Sequence, residues 1–240
     1  MDAGITFSGV DYSVQGKSVL QGVTLSMTAA RIGILGRNGS GKTTLLRLAA
    51  GLLPPTAGSV QVAGVDPAKD RRAMLRAVGI LFQNPDHQII FPTVEEELAF
   101  GLRQMGLPAA VARGRVLAML EAEGRSHWAG ATVAALSQGQ KQWLCLMAIL
   151  LMKPATLLLD EPFAALDLPT QARLSRRLAA LPQRLITISH SPESVASCDQ
   201  IVWIEGGRVQ MCGAPETVLP AFRAEMARLG EVDADTDLAG

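Results

Sequence analysis

The chain has 240 residues, and its 22 lysines and arginines balance its 22 aspartates and glutamates, so the formal net charge is zero. Apolar residues make up 48% of the chain and charged residues 18%. This composition excludes an intrinsically disordered chain, which would be poor in apolar residues. It also argues against a protein that binds nucleic acid electrostatically, because such a protein needs a basic excess. The length predicts one large domain, or a core with a lobe.

Apolar runs and cysteines narrow the possible classes of protein further. The longest unbroken apolar run, Trp143 to Met152, has ten residues, whereas a membrane span needs about 20, so we expect a buried helix there. The first residues show no basic region followed by an apolar stretch, and no signal peptide is predicted. Cys145, Cys198 and Cys212 are far apart and form no CxxC pair. They predict neither a disulfide framework nor a zinc site, and a reduced cytosolic protein fits best.

The first third of the chain predicts strands and one helix. Alternating or β-branched residues with glycine punctuation predict strands at 5–10, 18–27, 31–36, 58–65 and 78–82. Apolar residues at helical spacing predict a helix over 42–50, which ends before Gly51 and the Pro54-Pro55 pair.

The remainder predicts a helical insertion and then a return to alternation. Thr93 is a candidate N-cap with Glu96 at the capping-box position, and further helices are expected over 109–123 and 136–152. The later elements are strands at 156–160, 184–189, 200–205 and 208–212, helices at about 170–181 and 217–229, and an acidic, frayed tail at 231–237. This order predicts an α/β core with an inserted helical lobe.

Residues 36–43, Gly36-Arg37-Asn38-Gly39-Ser40-Gly41-Lys42-Thr43, match the pattern G-x-x-x-x-G-K-[ST] between a predicted strand and a predicted helix. Glycines allow successive backbone N–H groups to point at phosphate oxygens, and the helix start adds positive potential. The Lys42 ammonium suits terminal phosphates, and the Thr43 hydroxyl suits Mg²⁺. An ordinary glycine-rich turn is the alternative, but the strand-to-helix context favours a phosphate-binding loop.

An acidic strand end supplies the complementary half of such a site. The buried strand at 156–160 ends at Asp160, and Glu161 follows it. Ligands bind at the carboxyl edge of such sheets. Asp160 is predicted to hold Mg²⁺ through a water molecule, and Glu161 to orient or deprotonate an attacking water. Taken by itself, the pair is also compatible with a solvated turn.

The two elements above are compatible with either a P-loop nucleotide hydrolase or a P-loop kinase. A third sequence element distinguishes these classes. Ser137 and Gly139 lie at the start of a predicted helix, in Leu136-Ser137-Gln138-Gly139-Gln140. A hydroxyl and a bare backbone at a helix N-terminus suit phosphate. By itself, Ser137 would be interpreted as a plain N-cap.

With these residues in place, the chain resembles the ATP-binding cassette (ABC) family from about Ile5 to Met211. The resemblance identifies the Walker A motif as Gly36 to Thr43, the Q-loop as Leu81 to Gln83 and the signature as Leu136 to Gln140. The Walker B motif is the strand ending at Asp160-Glu161, and the D-loop is Ala165 to Asp167. The switch histidine is His190, and the A-loop aromatic is Tyr12. Gln138 departs from the commonest signature, which has glycine there. The implied fold is a P-loop ABC ATPase core with an N-terminal antiparallel β subdomain and an inserted α-helical lobe.

The resemblance also implies the domain organisation. Residues 1–240 would form a single ABC ATPase domain. Its nucleotide-binding core would comprise about 1–83 and 153–220, the helical lobe 84–152, and a C-terminal helix with the acidic tail 221–240.

The resemblance implies an ATP hydrolase that uses Mg²⁺ and works as a dimer with a second copy or a close paralogue. Two cassettes would sandwich two ATP molecules, so each ATP would touch the Walker A loop of one subunit and the signature of the other. The nucleotide-binding set would be Tyr12, Gly36, Arg37, Asn38, Gly39, Ser40, Gly41, Lys42, Thr43, Thr44, Ser137, Gly139 and Gln140. The metal set would be Thr43, Gln83 and Asp160, and the catalytic set Glu161, His190, Gln83 and Lys42.

Single residues in these sets have alternative interpretations. Tyr12 would stack on adenine, although strand packing would also explain it. His190 would contact the γ-phosphate, although a satisfied core histidine is the alternative. His87 and His127 match no pattern and are expected to be surface or structural residues.

Residues 83–101 resemble the A component of energy-coupling factor importers, which take up vitamins and transition metals. Within that group the chain is most similar to the ATPases of biotin transporters, with cobalt or nickel ATPases as close competitors. Ile89, Ile90 and Phe91 would either line a groove for an integral membrane partner or belong to the lobe core. The implied location is peripheral, on the cytoplasmic face of the cell membrane.

Two other classes of protein share some of these motifs. A nucleic-acid- or ribosome-associated cassette would carry a long coiled coil, a second Walker A motif or CxxC pairs, and the chain has none of them. A P-loop kinase would not need the segment Leu136 to Gln140 or His190. The sequence therefore favours a transport ATPase that binds no nucleic acid.

Overall fold

The computed structural model describes residues 4–164 and 166–231, which form two β-sheets and seven α-helices. One sheet is antiparallel, with three strands in the order β2-β1-β4. Its strands are β1 (Ile5–Val14), β2 (Lys17–Met27) and β4 (Ala57–Val62). At the start of β1, Ile5 and Phe7 are buried and Thr6 and Ser8 are exposed, because one face of this sheet packs on the core and the other meets solvent.

The second sheet contains six strands in the order β5-β6-β7-β3-β8-β9, and only β9 runs antiparallel to its neighbour. The strands are β3 (Arg31–Leu35), β5 (Val78–Leu81), β6 (Thr156–Asp160), β7 (Arg184–Ile188), β8 (Gln200–Glu205) and β9 (Arg208–Gly213). Because β6, β7 and β3 are parallel neighbours, the segments that follow them emerge side by side at one edge of the sheet. That edge is where ligands bind in folds of this type.

Four helices belong to the core: α1 (Lys42–Ala49), α2 (Arg71–Ala77), α6 (Leu168–Ala179) and α7 (Pro215–Glu231). Helix α2 was not predicted, because it is too short to show an apolar period. It is fixed by the Asp70 cap, whose Oδ1 accepts the Ala73 N–H at 2.8 Å. Helix α6 begins earlier than expected because Asp167 caps it, accepting the Thr170 N–H at 2.7 Å.

Residues 84–152 form α3 (Val94–Gln104), α4 (Ala109–Ala122) and α5 (Gln138–Met152), with short 3-10 turns before α3 and between α4 and α5. The three helices share a hydrophobic cluster, which includes Val94, Leu98, Leu102, Ala112, Val116, Leu120, Leu144, Met147 and Leu151. Thr93 caps α3, as predicted. The Glu96 carboxylate bonds to the Thr93 hydroxyl, whereas a full capping box would have it on the Thr93 backbone N–H.

The apolar run from Trp143 to Met152 lies in α5, where most of its side chains are buried. Within the described ranges, no helix has both the length and the apolar character needed to cross a membrane. Helix α7 begins two residues before the predicted helix and ends two residues after it. Ala165, assigned to the D-loop, and residues 232–237 of the acidic tail lie outside the described residues.

Candidate nucleotide-binding site

A cavity of about 410 Å³ opens at the carboxyl edge of the six-stranded sheet, where the segments after β3 and β6 meet. Most of its walls are polar residues singled out from the sequence. The predicted site residues that line it are Asn38, Gly39, Ser40, Gly41, Lys42, Thr43, Thr44, Gln83, Asp160, Glu161 and His190. Segments distant in the sequence therefore converge on one cavity.

The loop before α1 has the backbone that a phosphate site requires. Gly41 is the N-cap residue and is left-handed, with φ 103°, and an added Cβ would lie 2.7 Å from Leu20 Cδ2. Helix α1 therefore starts at Lys42 with its unpaired N–H groups at the cavity wall. The buried Ser40 hydroxyl has no hydrogen-bond partner within the described part of the chain. It adds a further polar group to this loop.

Lys42 is held inside the loop that precedes it. Its ammonium donates to the carbonyl oxygens of Gly36 at 2.7 Å and Arg37 at 2.9 Å, and the residue is only 7% exposed. Desolvation by burial lowers the pKa of Lys42, and the negative charges of Glu161 and Asp160 oppose that shift. A cation fixed at this position suits the terminal phosphates of a nucleotide.

Thr43 and Asp160 face each other across the cavity, with Thr43 Oγ1 donating to Asp160 Oδ1 at 3.4 Å. Burial raises the pKa of Asp160, and the neighbouring Glu161 raises it further, while the bond from Thr43 lowers it. Together with the amide oxygen of Gln83, these groups are the hard oxygen donors that Mg²⁺ prefers. Over the described ranges, no cluster of three or more histidine, cysteine, aspartate or glutamate side chains forms an independent metal site. The donor set thus fits a magnesium ion that is also bound by nucleotide phosphates.

Glu161 and His190 form a hydrogen-bonded pair at the cavity wall. His190 Nδ1 lies 2.9 Å from Glu161 Oε1, and the Ser189 hydroxyl donates to Glu161 Oε2 at 3.4 Å. Glu161 has a left-handed backbone with φ 47°, an uncommon conformation for a non-glycine residue. The His190 side chain is 66% exposed, so it is not a core histidine. A carboxylate oriented by an imidazole is an arrangement suited to positioning water.

The signature residues Ser137, Gly139 and Gln140 lie in a different cavity, of about 440 Å³, which shares no lining residue with the first. Ser137 and Gln140 form a complete capping box at the start of α5, with N–H bonds of 2.8 Å and 3.4 Å. An added Cβ at Gly139 would lie 2.9 Å from Thr170 Cγ2. In one chain, therefore, these residues do not meet Lys42.

Cationic side chains in this second cavity were not predicted. Arg125 and Arg173 line it, and the Arg125 guanidinium lies 4.6 Å from the Trp143 ring centre and 5.2 Å from that of Trp128. His127, expected to be a surface or structural residue, is exposed and also lines the cavity. No local motif links these positions, because only the packing of the lobe against α6, which carries Arg173, brings them together.

Gln138, the departure from the commonest signature, has a defined contact. Its amide donates to Asp86 Oδ2 at 2.8 Å, and Lys141 donates to Asp86 Oδ1 at 2.7 Å. Asp86 lies shortly after Gln83, so these bonds connect the segment that follows the first cavity with the N-terminus of α5.

Apart from the signature residues, three predicted nucleotide-binding residues lie outside the first cavity. Tyr12 is half-buried on β1 and packs against the core cluster, while Gly36 and Arg37 line a neighbouring cavity. Conversely, Val19 and Ile188 line the first cavity without belonging to any motif.

Comparisons with known proteins agree with this geometry. The family described as ABC transporter matches residues 20–164. The biotin transport ATP-binding protein BioM of Rhodobacter capsulatus is 50% identical over 219 residues, or 91% of this chain and 94% of that protein. The energy-coupling factor transporter ATP-binding protein EcfA1 of Symbiobacterium thermophilum is 41% identical, over 83% of this chain and 72% of that protein.

The fold has a counterpart among solved structures. The structure of cbiO1 from Clostridium perfringens, part of the ABC transporter complex cbiONQ, superposes with a TM-score of 0.78 and 28% identity, covering 97% of this chain and 100% of that one. The predicted ABC ATPase fold is confirmed. The family match, the identity to curated relatives and the phosphate loop with its facing carboxylates lead to one conclusion: the chain belongs to the ABC transporter family as an ATP-binding, ATP-hydrolysing subunit.

Proposed function

We propose that this chain is the ATPase subunit of an energy-coupling factor importer and that its cargo is biotin. The principal support is the cavity that joins Lys42, Asp160, Glu161 and His190, in a chain that is 50% identical to a biotin transport ATP-binding protein. The likeness to an energy-coupling factor ATPase supports the importer class.

The residues of the cavity suggest how hydrolysis proceeds. The loop N–H groups and Lys42 bind the phosphates of ATP, while Tyr12, which lies outside this cavity on β1, stacks on the adenine. Thr43, Gln83 and Asp160 hold Mg²⁺, which when bound neutralises charge on the phosphate oxygens.

The paired side chains of Glu161 and His190 account for cleavage of the bond between the γ-phosphate and ADP. Glu161 accepts a proton as the oxygen of a water molecule bonds to the γ-phosphorus and the bond to ADP breaks. His190 keeps Glu161 in position through its 2.9 Å contact and faces the γ-phosphate. ADP and phosphate are the products.

The separation of the two cavities supports a dimer. Ser137 and Gly139 line one cavity and Lys42 the other, with no lining residue in common. A second copy, or a close paralogue, arranged head to tail would bring its signature cavity onto the phosphates held by the first. Each chain then completes the site of the other, and two ATP molecules lie in the interface.

One exposed apolar residue after the Q-loop supports docking to integral membrane subunits on the cytoplasmic face. Ile90 is 68% exposed. Its neighbours are more enclosed: Ile89 packs against two hydrophobic clusters, and Phe91 lies 5.2 Å from the Phe100 ring. Of the three residues predicted to line the groove or the lobe core, Ile90 is the one whose side chain is exposed.

The test first identifies the membrane proteins that co-purify with the chain. It then expresses them together with the chain in cells and measures uptake. Cells containing the wild-type complex should accumulate labelled biotin, and Lys42→Ala should abolish this uptake. Ile90→Asp should reduce both co-purification and uptake, whereas Val111→Asp, at a position 47% exposed on α4, should reduce neither.

The same assay distinguishes the second candidate, a cobalt or nickel importer, which the resemblance of residues 83–101 also favours. Uptake of cobalt or nickel in place of biotin would replace the biotin assignment. A nucleic-acid- or ribosome-associated ATPase is disfavoured by the zero net charge. Co-purification with ribosomes or nucleic acid, and no membrane protein, would overturn the importer proposal.

A further inference from the structure

The turn between β8 and β9 contacts the phosphate loop at two places. Glu205 is the last residue of β8, and Gly207 follows it in the turn. Neither residue lines the nucleotide cavity, and neither belongs to a motif identified in the sequence. Their contacts with the loop therefore raise the question of what they contribute to ATP binding.

Glu205 contacts the start of the loop through Arg37. Arg37 Nε donates to Glu205 Oε1 at 2.9 Å, and the Arg37 backbone N–H makes a longer contact of 3.5 Å with Glu205 Oε2. The side chain of Glu205 is 19% exposed, whereas that of Arg37 is 50% exposed. Because Glu205 ends a strand of the six-stranded sheet, the sheet fixes the carboxylate, and the carboxylate in turn fixes Arg37.

The second contact is at Ser40, near the end of the loop. The Gly207 N–H donates to the Ser40 carbonyl oxygen at 3.1 Å, and the Gly207 carbonyl oxygen accepts the N–H of Gln21 on β2 at 2.9 Å. At the start of the loop, an added Cβ at Gly36 would collide with the carbonyl oxygen of Ile204 on β8. The loop backbone therefore lies directly against the end of β8 and the turn that follows it.

These contacts hold the loop on the side opposite to Lys42. The Lys42 ammonium is bonded to the carbonyl oxygens of Gly36 and Arg37. Arg37 is thus held by Lys42 at its carbonyl oxygen and by Glu205 at its side chain and backbone N–H. A loop held in this way before nucleotide arrives loses less conformational entropy when it binds phosphates.

The charge of Glu205 has two further effects on an anion site, and they have opposite signs. A carboxylate close to the site repels phosphates, so its removal would tighten ATP binding. Burial lowers the pKa of Lys42, and Glu205 is the third carboxylate, after Glu161 and Asp160, whose charge opposes that shift. Neither effect depends on the hydrogen bond to Arg37, so a neutral side chain that keeps an oxygen acceptor separates them from positioning.

We propose that Glu205 is a positioning residue for ATP binding: through Arg37, and together with the Gly207 contact at Ser40, it holds the phosphate loop in the conformation that receives the phosphates. The assignment rests on the proposed binding of ATP by this loop and Lys42. It also explains why Arg37 lines the neighbouring cavity, where its guanidinium is bonded to Glu205.

The first test is a titration of the full chain with a non-hydrolysable ATP analogue, at a urea-free condition where each variant is shown to be folded. Glu205→Ala should weaken binding by about tenfold or more, because the charge-assisted contact with the loop is lost. Glu205→Gln keeps an oxygen acceptor for Arg37 without the charge and should restore most of the affinity. The matched control is Glu95→Ala, which removes the carboxylate from another 2.9 Å arginine contact, with Arg113 in the lobe, and should leave the affinity unchanged.

Amide hydrogen exchange in the nucleotide-free chain is the second measurement, because it reports the order of the loop itself. In Glu205→Ala, residues 36–41 should exchange at least about tenfold faster than in the wild type, while exchange in α5 should be unchanged.

Unchanged or tighter binding by Glu205→Ala, or unchanged exchange of its loop, would overturn the proposal. Binding by Glu205→Gln as weak as that by Glu205→Ala would assign the effect to charge and would overturn it as well. A Lys42→Ala protein that binds the analogue as tightly as the wild type is a separate result, which would overturn the proposed role of the loop and this assignment with it.

Discussion

The buried carboxylate of Asp160 is a metal-binding group of the first cavity whose protonation depends on its surroundings. Asp160 is 7% exposed, and both burial and the adjacent Glu161 raise its pKa. A raised pKa means that the side chain takes up a proton at a higher pH than an ordinary aspartate does. Burial and the adjacent Glu161 therefore disfavour the ionised, metal-binding form of Asp160, and a bound cation would favour it.

The raised pKa of Asp160 predicts how magnesium-dependent nucleotide affinity changes with pH. Protons compete with Mg²⁺ for Asp160, so magnesium-dependent nucleotide affinity should be complete above the raised pKa and fall as the pH is lowered through it. The measurement is a binding titration of a non-hydrolysable ATP analogue, with and without Mg²⁺, from neutral to mildly acidic pH. In Asp160→Asn the magnesium enhancement should be small at every pH. An enhancement that falls with pH equally in both proteins would contradict this role for Asp160.

Sequence patterns predicted the polar residues of the first cavity but not all the residues of the second. Lys42 and Asp160 belong to segments whose local order already indicates phosphate chemistry. Arg125 and Arg173 lie on different segments, and only the packing of the lobe against α6 makes them neighbours of Ser137. Val19 has no chemical signal, since a strand valine lining a ligand cavity is indistinguishable in sequence from one in the core.

At the scale of elements, α3 organises the loop that carries Ile90. Glu97 is 6% exposed, and its Oε2 accepts the backbone N–H groups of Ile90 and Phe91, both at 2.9 Å. One buried carboxylate thus satisfies two amides and fixes the chain direction between the Q-loop and the lobe. The sequence predicted α3 and its cap. It did not predict the role of Glu97, because these bonds form only when α3 folds back over the loop that precedes it.

Removing this acceptor should have a measurable cost. Glu97→Ala should lower the free energy of unfolding by about 1–3 kcal/mol, because two amides are left without their partner. Urea denaturation measures this change, and co-purification with the membrane partner should fall as Ile90 loses its placement. The matched control is Glu121→Ala, an exposed position on α4. Equal stability of the two variants would show that the loop does not depend on Glu97.

At the scale of the whole molecule, the two halves of the chemistry lie in separate cavities of one chain. The motif order predicted the α/β core with its helical lobe, since alternating strands and helices interrupted by a helical insertion permit few other arrangements. The separation of Ser137 from Lys42 is not a property of either motif. It follows from the placement of α5 in the lobe and of α1 against the sheet. Activity should consequently depend on the association of two chains.

The dimer formed by the Glu161→Gln protein is the most direct test. Without the carboxylate, turnover should fall by about a hundredfold or more, because general-base assistance is lost while the phosphate loop is intact. Size-exclusion chromatography with light scattering should then show monomers alone and stable dimers with ATP, and the added change Lys42→Ala should abolish the dimers. A Glu161→Gln protein that binds ATP with normal affinity yet stays monomeric at saturating nucleotide would contradict the shared two-chain site.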